Sequence, residues 1–250
     1  MEVNGNTIVI TGGATGIGFA LAQKFVGLGN EVIICGRREY KLDEAKTKLP
    51  SIHVKKCDIS KEDEREALYD WVSSNFKDVN MLVNNAGIQR PIDFRKGVED
   101  LLKNEDEIEI NLRAQIYLSA HFIPLFLRQK NAAIINVSSG LGFVPLARFP
   151  VYCATKAAIH SFSMTLRYQL RETPIRVFEV IPPTVFDTEL KGKELEKAEW
   201  NVSSSEVAEV VAKGLENNEY EIVIAMAKNY IIGSRSDPEQ AFKNMNVYST

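Results

Sequence analysis

The chain has 250 residues, 45% of them hydrophobic and 25% charged, enough to bury a sizeable core as one large α/β domain or two small ones. Thirty basic against thirty-three acidic side chains leave a net charge of −3, which argues against the basic footprint of a nucleic-acid binder; no run of about eighteen apolar residues is present, so no membrane insertion is expected. No secretory signal is visible, and three scattered cysteines, Cys35, Cys57 and Cys153, point to reduced thiols and a cytoplasmic setting.

Residues 7–11, TIVIT, read as a short buried strand, followed at once by a glycine-rich turn and a helix, FALAQKFVGLG. EVIIC is a second strand and REYKLDEAKTKL a helix. IHVKKC, KEDEREALYDWVSSNF and NMLVNNAG then give strand, helix and strand. A long helix is expected from Glu105 to Arg128, bent or ended by Pro124. AAIINVSS is the fifth strand, YCATKAAIHSFSMTLRYQLRE a helix, IRVFEVI the sixth strand, SSEVAEVVAKGLEN a serine-capped helix and YEIVIA the seventh strand. A further helix is expected from Pro238 onward. Alternating strands and helices mark βαβ units and a mainly parallel sheet. With no linker or repeat to divide it, the chain reads as a single doubly wound Rossmann domain over 1–250, with helices on both faces.

Thr11 to Gly18 reads Thr-Gly-Gly-Ala-Thr-Gly-Ile-Gly, after a strand and before a helix. Gly12 allows a tight turn, Gly16 lets backbone approach a phosphate, and Gly18 lets the helix pack closely on the sheet. The helix N-terminus offers N–H groups to a pyrophosphate. No Gly-Lys-Ser/Thr follows, so this is not a nucleoside-triphosphate loop. At the end of the second strand, where NAD binders usually carry an acid, the chain has Cys35-Gly36-Arg37-Arg38. Arg37 is suited to a 2′-phosphate and to stacking on adenine, so NADP(H) is the preferred cofactor and NAD(H) stays open. Thr15 offers a hydroxyl there instead of a second charge.

Tyr152 and Lys156 are four residues apart on one helix and share a face. An ammonium beside a phenol is expected to lower the phenol's pKa and make Tyr152 a proton donor or acceptor near neutral pH. Ser139, at the end of the fifth strand, is expected to meet Tyr152 over the nicotinamide site. His53, His121 and His160 lack zinc-ligand spacing, so no metal is expected, and His160 reads as a packed residue.

Together, Thr11 to Gly18, Asn84-Asn85-Ala86-Gly87, Asn111, Ser139, Tyr152 and Lys156 resemble the signature of the short-chain dehydrogenase/reductase family, from the first strand to about residue 188. More narrowly, VIICGRRE, NNAGIQ and PVYCATKAAIHSFS resemble a bacterial group of these oxidoreductases encoded beside the teichoic-acid D-alanylation genes. The resemblance implies hydride transfer between NADP(H) and a small carbonyl or alcohol substrate. It makes Asn111, Ser139, Tyr152 and Lys156 the catalytic set. It implies cofactor contacts from Gly12, Thr15, Gly16, Ile17, Gly18, Arg37, Arg38, Asp58, Ile59, Asn85, Ala86, Gly87, Tyr152, Lys156, Pro182, Val185 and Thr188. It also implies a lid at about 184–202 and a homodimer or homotetramer. The chain departs from the family at Pro182-Pro183, where Pro-Gly is usual, at Thr188, which comes one residue late, and in its C-terminus. Two alternatives differ in class: a catalytically silent NADPH-binding regulator or scaffold, and a nucleotide-sugar epimerase or dehydratase. The intact Ser139, Tyr152 and Lys156 argue against the first, and the short stretch after Val180 against the second.

Overall fold

The computed structural model describes residues 1–103, 105–188, 190 and 201–247. Its strands are β1 (Thr7–Thr11), β2 (Glu31–Gly36), β3 (His53–Lys56), β4 (Val79–Asn84), β5 (Ala132–Val137), β6 (Ile175–Ile181) and β7 (Glu221–Val223). They form one sheet in the order β3-β2-β1-β4-β5-β6-β7, and every pairing is parallel. TIVIT, VIIC and AAIINV carry apolar residues without polar alternation, so both faces of the sheet need cover. Accordingly β1, β4 and β5 are buried along their whole length.

The helices are α1 (Gly16–Gly27), α2 (Glu39–Lys48), α3 (Glu62–Asn75), α4 (Val98–Leu102), α5 (Ala114–Phe126), α6 (Pro150–Gln169), α7 (Ser204–Glu216), α8 (Ala227–Ser236) and α9 (Pro238–Asn246). One apolar layer joins α1, α2 and α7 to the sheet through Leu21, Phe25, Leu42, Val207 and Leu215. The opposite layer joins α3, α5 and α6 through Leu68, Leu118, Phe122, Phe126 and Leu166. Each fully buried side chain of this size contributes about 1.5–3 kcal/mol. The serine cap expected before α7 is a full capping box: Ser203 Oγ accepts from the Glu206 N–H, and the Glu206 carboxylate accepts from the Ser203 N–H.

A polar seam fixes α6 over the sheet. Asn84 Nδ2 donates to Asn136 Oδ1 at 2.9 Å and to Ser119 Oγ at 3.0 Å, and Asn136 Nδ2 donates to Ser163 Oγ at 3.0 Å. These groups are fully buried, so losing one partner would strand the other.

Three expectations change. The helix from 105 to 128 divides into a π-helical turn at Glu109–Arg113 and α5, with Pro124 in the last turn of α5. The seventh strand is shorter than YEIVIA, because Ala225 turns the chain at φ +44°. The C-terminus forms two helices, α8 as well as the expected α9.

Candidate active site

A cavity of about 550 Å³ opens at the C-terminal ends of the strands, across the point where strand order reverses between β1 and β4. One wall is the glycine loop. Gly12 and Gly16 have φ of +64° and +52°, values that a side chain disfavours. A Cβ on Gly18 would meet the Gly12 carbonyl oxygen at 2.3 Å and Asn85 Nδ2 at 2.6 Å. Gly18 therefore serves the folding of the loop onto the first turn of α1, and it does not itself line the cavity. Thr15 caps α1 without a side-chain hydrogen bond, and the first turn holds no acid, so the positive helix end is left for an anion.

Thr11 Oγ1 accepts from the N–H groups of Asn85 and Ala86, both at 3.0 Å, and Asn85 Nδ2 donates to the Thr11 carbonyl at 2.9 Å. Asn84 points into the core, while Asn85, Ala86 and Gly87 line the cavity.

The β2 end of the cavity is lined by Arg37, Arg38, Lys41, Asp58 and Ile59. Arg37 pairs with Glu105, and both side chains are 43% exposed. Asp58 Oδ1 accepts from the Ser60 N–H and hydroxyl at 3.1 and 2.8 Å. Lys41 was not singled out by the sequence; it lies one helical turn from Arg37 and Arg38.

Ser139, Tyr152 and Lys156 meet at the opposite end, 7%, 5% and 3% exposed. Ser139 follows β5 and caps a 3-10 turn, its Oγ accepting from the Leu141 N–H at 3.1 Å. Burial pushes the Tyr152 phenol well above its ordinary range, and a hydrogen bond with Ser139 opposes that rise. The expectation that Lys156 draws the phenol down is thus corrected. Lys156 Nζ donates to the Val137 carbonyl at 2.7 Å and lies 5.6 Å from the tyrosine ring centroid. Burial in turn lowers the Lys156 amine to about 8, with the charge of Glu179 opposing.

The floor comes from the segment after β6. Pro182 accepts from the Gly140 N–H at 3.0 Å, and Pro182, Val185 and Thr188 all line the cavity. Thr188, despite its late position, reaches the glycine loop: its Cγ2 lies 2.9 Å from where a Gly16 Cβ would be. A parallel bridge between Val185 and Val202 closes the neck of the expected lid; most of the lid, residues 189 and 191–200, lies outside the described residues.

Ile17 and Gly16 complete the lining at α1. Asn111 does not line it. It sits in the π-helical turn, fully buried, accepting from the Ile88 N–H at 2.8 Å and donating to the Ile88 carbonyl at 2.8 Å and to Thr155 Oγ1 at 3.3 Å. Its side chain ties the loop after β4 to α6.

Besides Lys41, the lining residues that the sequence did not single out include Gln89, Tyr230 and Met245. Gln89 directly follows the NNAGI run, which was the available signal. Tyr230 packs on Gly140, leaving no room for a Cβ there. Met245 is held by its neighbour Asn246, which accepts from the Ala147 N–H at 2.6 Å and donates to the Pro145 carbonyl at 3.0 Å. The atypical C-terminus therefore forms a wall of the cavity.

His160 packs on Phe143 with ring centroids 4.6 Å apart, and its Nδ1 meets Glu179 Oε2 at 2.7 Å. Glu179 is fully buried and also accepts from Ser138 Oγ at 2.5 Å. With Glu221, these side chains bring ligand-type atoms within 4.8 Å of one another, yet both Glu179 oxygens already have partners.

Comparisons with known proteins agree with this geometry. Residues 6–199 match the family model for short chain dehydrogenases. The chain is 49% identical over 250 residues to the uncharacterized oxidoreductase DltE of Bacillus subtilis, covering 99% of each chain. It is 32% identical over 188 residues to the NADP-dependent 3-hydroxy acid dehydrogenase YdfG of Salmonella typhimurium, covering 74% of this chain and 75% of that one. Among solved structures, a short chain dehydrogenase from Burkholderia cenocepacia in complex with NADP is similar with a TM-score of 0.80 and 25% identity, covering 98% of each chain.

Proposed function

The chain belongs to the short-chain dehydrogenase family, and from that premise we propose that it is an oxidoreductase interconverting a small carbonyl compound and its alcohol, with NADP(H) preferred and NAD(H) accepted. The observation that carries the reading is the meeting of Ser139, Tyr152 and Lys156 at one end of a cavity whose other wall is a glycine cradle. That cradle fits a dinucleotide: Gly12 and Gly16 hold positive φ beside an uncapped, acid-free helix start. When bound, the nicotinamide ring supplies or accepts the hydride.

The chain's own groups manage the proton and the oxygen. Burial keeps the Tyr152 phenol protonated, the form needed to protonate a carbonyl oxygen during reduction. Ser139 gives that oxygen a fixed hydrogen bond as charge develops on it. Lys156, anchored to Val137, sits one turn from Tyr152 and would hold the nicotinamide ribose. Its amine, near 8, can be charged or neutral close to neutral pH, which suits a group that feeds protons toward Tyr152. Asn111 holds Ile88 and Thr155 in register, and a Cβ on Gly87 would meet both its Oδ1, at 3.2 Å, and Lys156 Nζ, at 3.7 Å, which keeps it beside the lysine.

Arg37, with Arg38 and Lys41, would receive the 2′-phosphate, and Asp58 and Ile59 would border the adenine; all five line the cavity. The Salmonella relative is NADP-dependent and the Burkholderia dehydrogenase is in complex with NADP, which supports the same preference. The segment 184–202, pinned at Val185 and Val202, closes over substrate as a lid. No described helix is long and apolar enough to cross a membrane. Met164 and Tyr168 on α6, with Tyr117 and Leu127 at α5, leave large apolar groups exposed, which supports a homodimer or homotetramer.

The test is a panel of carbonyl and alcohol substrates assayed with both cofactors, wild type against Tyr152→Phe. Turnover on at least one substrate, lost in the variant, is expected; an unchanged rate in the variant would remove Tyr152 from the chemistry.

A further inference from the structure

α8 and α9 close the catalytic end of the cavity from the C-terminal side. α8 is rooted in the core: Ala227 and Ile231 are buried with Ile181 and lie against Phe143 and Val223. The Tyr230 ring occupies the space where a Cβ on Gly140, the residue after Ser139, would have to go. α9 is held differently. It buries none of its residues, and Phe242 is exposed. Asp237 caps it by accepting from the Gln240 N–H at 2.9 Å, and it packs closely on α8, where a Cβ on Gly233 would come 3.2 Å from that of Ala241. An element with little buried apolar contact opens at low cost, so the group that fixes its last turn decides where it lies.

That group is the Asn246 side chain. Its Oδ1 accepts from the Ala147 N–H at 2.6 Å, and its Nδ2 donates to the Pro145 carbonyl at 3.0 Å and, within α9, to the Phe242 carbonyl at 2.8 Å. One amide thus binds the backbone on both sides of Leu146. From the other direction, the Leu146 N–H donates to Cys153 Sγ at 3.4 Å, and its carbonyl accepts from the Phe149 N–H at 2.9 Å. These bonds tie the same residue to the start of α6, where Tyr152 lies, and the Leu146 side chain packs on the cluster of Phe149, Tyr152 and Cys153.

Leu146 lines the cavity, and so does Met245, the residue before Asn246. The latch therefore brings together two apolar lining residues from segments distant in sequence. Lys156, Gln89 and Tyr230 give the same end an ammonium, an amide and a phenol. Ser139 and Tyr152 take the carbonyl oxygen, which leaves a substituent of the carbonyl carbon to meet Leu146 and Met245.

We propose that Asn246 is a positioning residue that sets substrate length: by holding Met245 beside Leu146, it limits the alkyl group that the carbonyl or alcohol carbon can carry. A short group stops at this wall, and a longer one needs α9 displaced. Both hydrogen bonds to the 145–147 loop lie at an exposed site, so without the amide water replaces them at small cost and the wall gives way. This assignment rests on the oxidoreductase reading above.

The test is NADPH-dependent reduction of butan-2-one, hexan-2-one and octan-2-one by the full-length protein, read as the kcat/KM ratio of octan-2-one to butan-2-one. Wild type should favour butan-2-one. Asn246→Ala should raise the ratio by about tenfold or more, the lower end of what one methylene is worth in a pocket. Met245→Ala, which shortens the wall itself, should raise it too. Asn246→Asp keeps an acceptor for the Ala147 N–H and loses the donors to Pro145 and Phe242, so it should fall between wild type and Asn246→Ala. NADPH affinity by fluorescence titration should be unchanged in all three, which also reports that they are folded. If Asn246→Ala does not fold, Asn246→Asp and the wild-type ratio carry the test. A merely structural asparagine would lower Tm and slow all three ketones alike; an unchanged ratio in the folded Asn246 variants therefore overturns the proposal, even if Met245→Ala shifts it. Wild-type preference for octan-2-one overturns it as well. Failure of every ketone alongside Tyr152-dependent turnover on another substrate overturns it and leaves the oxidoreductase reading in place. No Tyr152-dependent turnover on any carbonyl or alcohol overturns both.

Discussion

Lys156 Nζ donates to the Val137 carbonyl at 2.7 Å, so one buried hydrogen bond ties α6 to the end of β5 beneath the cavity. The same amine is the most strongly perturbed cation of the site, lowered by burial to about 8 and supported in its charged form by Glu179. A turnover that needs the Lys156 ammonium should therefore decline as pH rises through about 8. Glu179→Gln keeps the shape of the side chain and removes the charge that opposes the fall. The basic limb of the kcat profile should then move to lower pH. A limb at unchanged pH in a folded Glu179→Gln would show that Glu179 has no hold on the lysine.

Arg37 and Glu105 form an ion pair at the β2 end of the cavity. If Arg37 receives the 2′-phosphate, Glu105 competes with it. Arg37→Ala should weaken NADPH by about 1.5–3 kcal/mol, the range for a hydrogen bond to a charged group, and leave NADH nearly unchanged. Glu105→Gln should shift the ratio of the two affinities the other way. Calorimetric titration with both cofactors decides: equal losses for NADPH and NADH in Arg37→Ala would sink the selectivity argument.

Gly18→Ala tests the packing of the cradle. The added Cβ would lie 2.3 Å from the Gly12 carbonyl oxygen and 2.6 Å from Asn85 Nδ2, and neither backbone nor clip has room to yield. Overpacking of this kind costs about 1–3 kcal/mol. Urea denaturation should show that loss, and the displaced Gly12 carbonyl should weaken both cofactors alike.

Much of this was legible in the sequence, for identifiable reasons. Buried parallel strands are unbroken apolar runs, so TIVIT and IRVFEVI fell where expected. The four-residue spacing of Tyr152 and Lys156 fixed their shared face. What escaped depended on tertiary path or on solvation. Periodicity does not register the extra residue of a π-helical turn, so the break around Asn111 was hidden. Tyr230 and Met245 reach the cavity only because Asn246 fastens α9 to the loop at 145–147. Spacing alone placed a cation beside Tyr152, but depth of burial decides the phenol's pKa, and depth is not a local property of the sequence.

His160 adds a pH-dependent contribution to stability. Its pKa is raised, first by the hydrogen bond to Glu179, with burial opposing, Glu221 reinforcing and Arg167 opposing. A raised folded pKa means the native state holds the proton more tightly, so the stabilisation is full below the unfolded value, about 6.5. It is lost as pH rises through the folded value. The Tm gap between wild type and His160→Gln should therefore be widest in mildly acidic buffer and narrow toward alkaline pH. A gap that widens with pH would reverse the assigned sign.

The proton itself is the last test. Tyr152→Phe removes one hydroxyl and nearly conserves shape, so fold and NADPH affinity should survive while turnover falls by about 10²–10⁴-fold, the usual contribution of a positioned proton donor. Ser139→Ala removes the hydrogen bond that opposes the burial-driven rise of the phenol and the donor for the substrate oxygen. It should lower turnover and leave the cofactor bound. Lys156→Ala removes the anchor to Val137 and the contact proposed for the ribose, so turnover, cofactor affinity and stability should all suffer. These three patterns differ, which separates chemistry from structural damage. A silent NADPH-binding protein would give no turnover in the wild type and no cofactor-linked effect of Tyr152→Phe. Steady-state rates on a substrate from the panel, with NADPH titrations on the same preparations, distinguish the cases. A Tyr152→Phe variant at wild-type rate would move the proton to another group of the cavity.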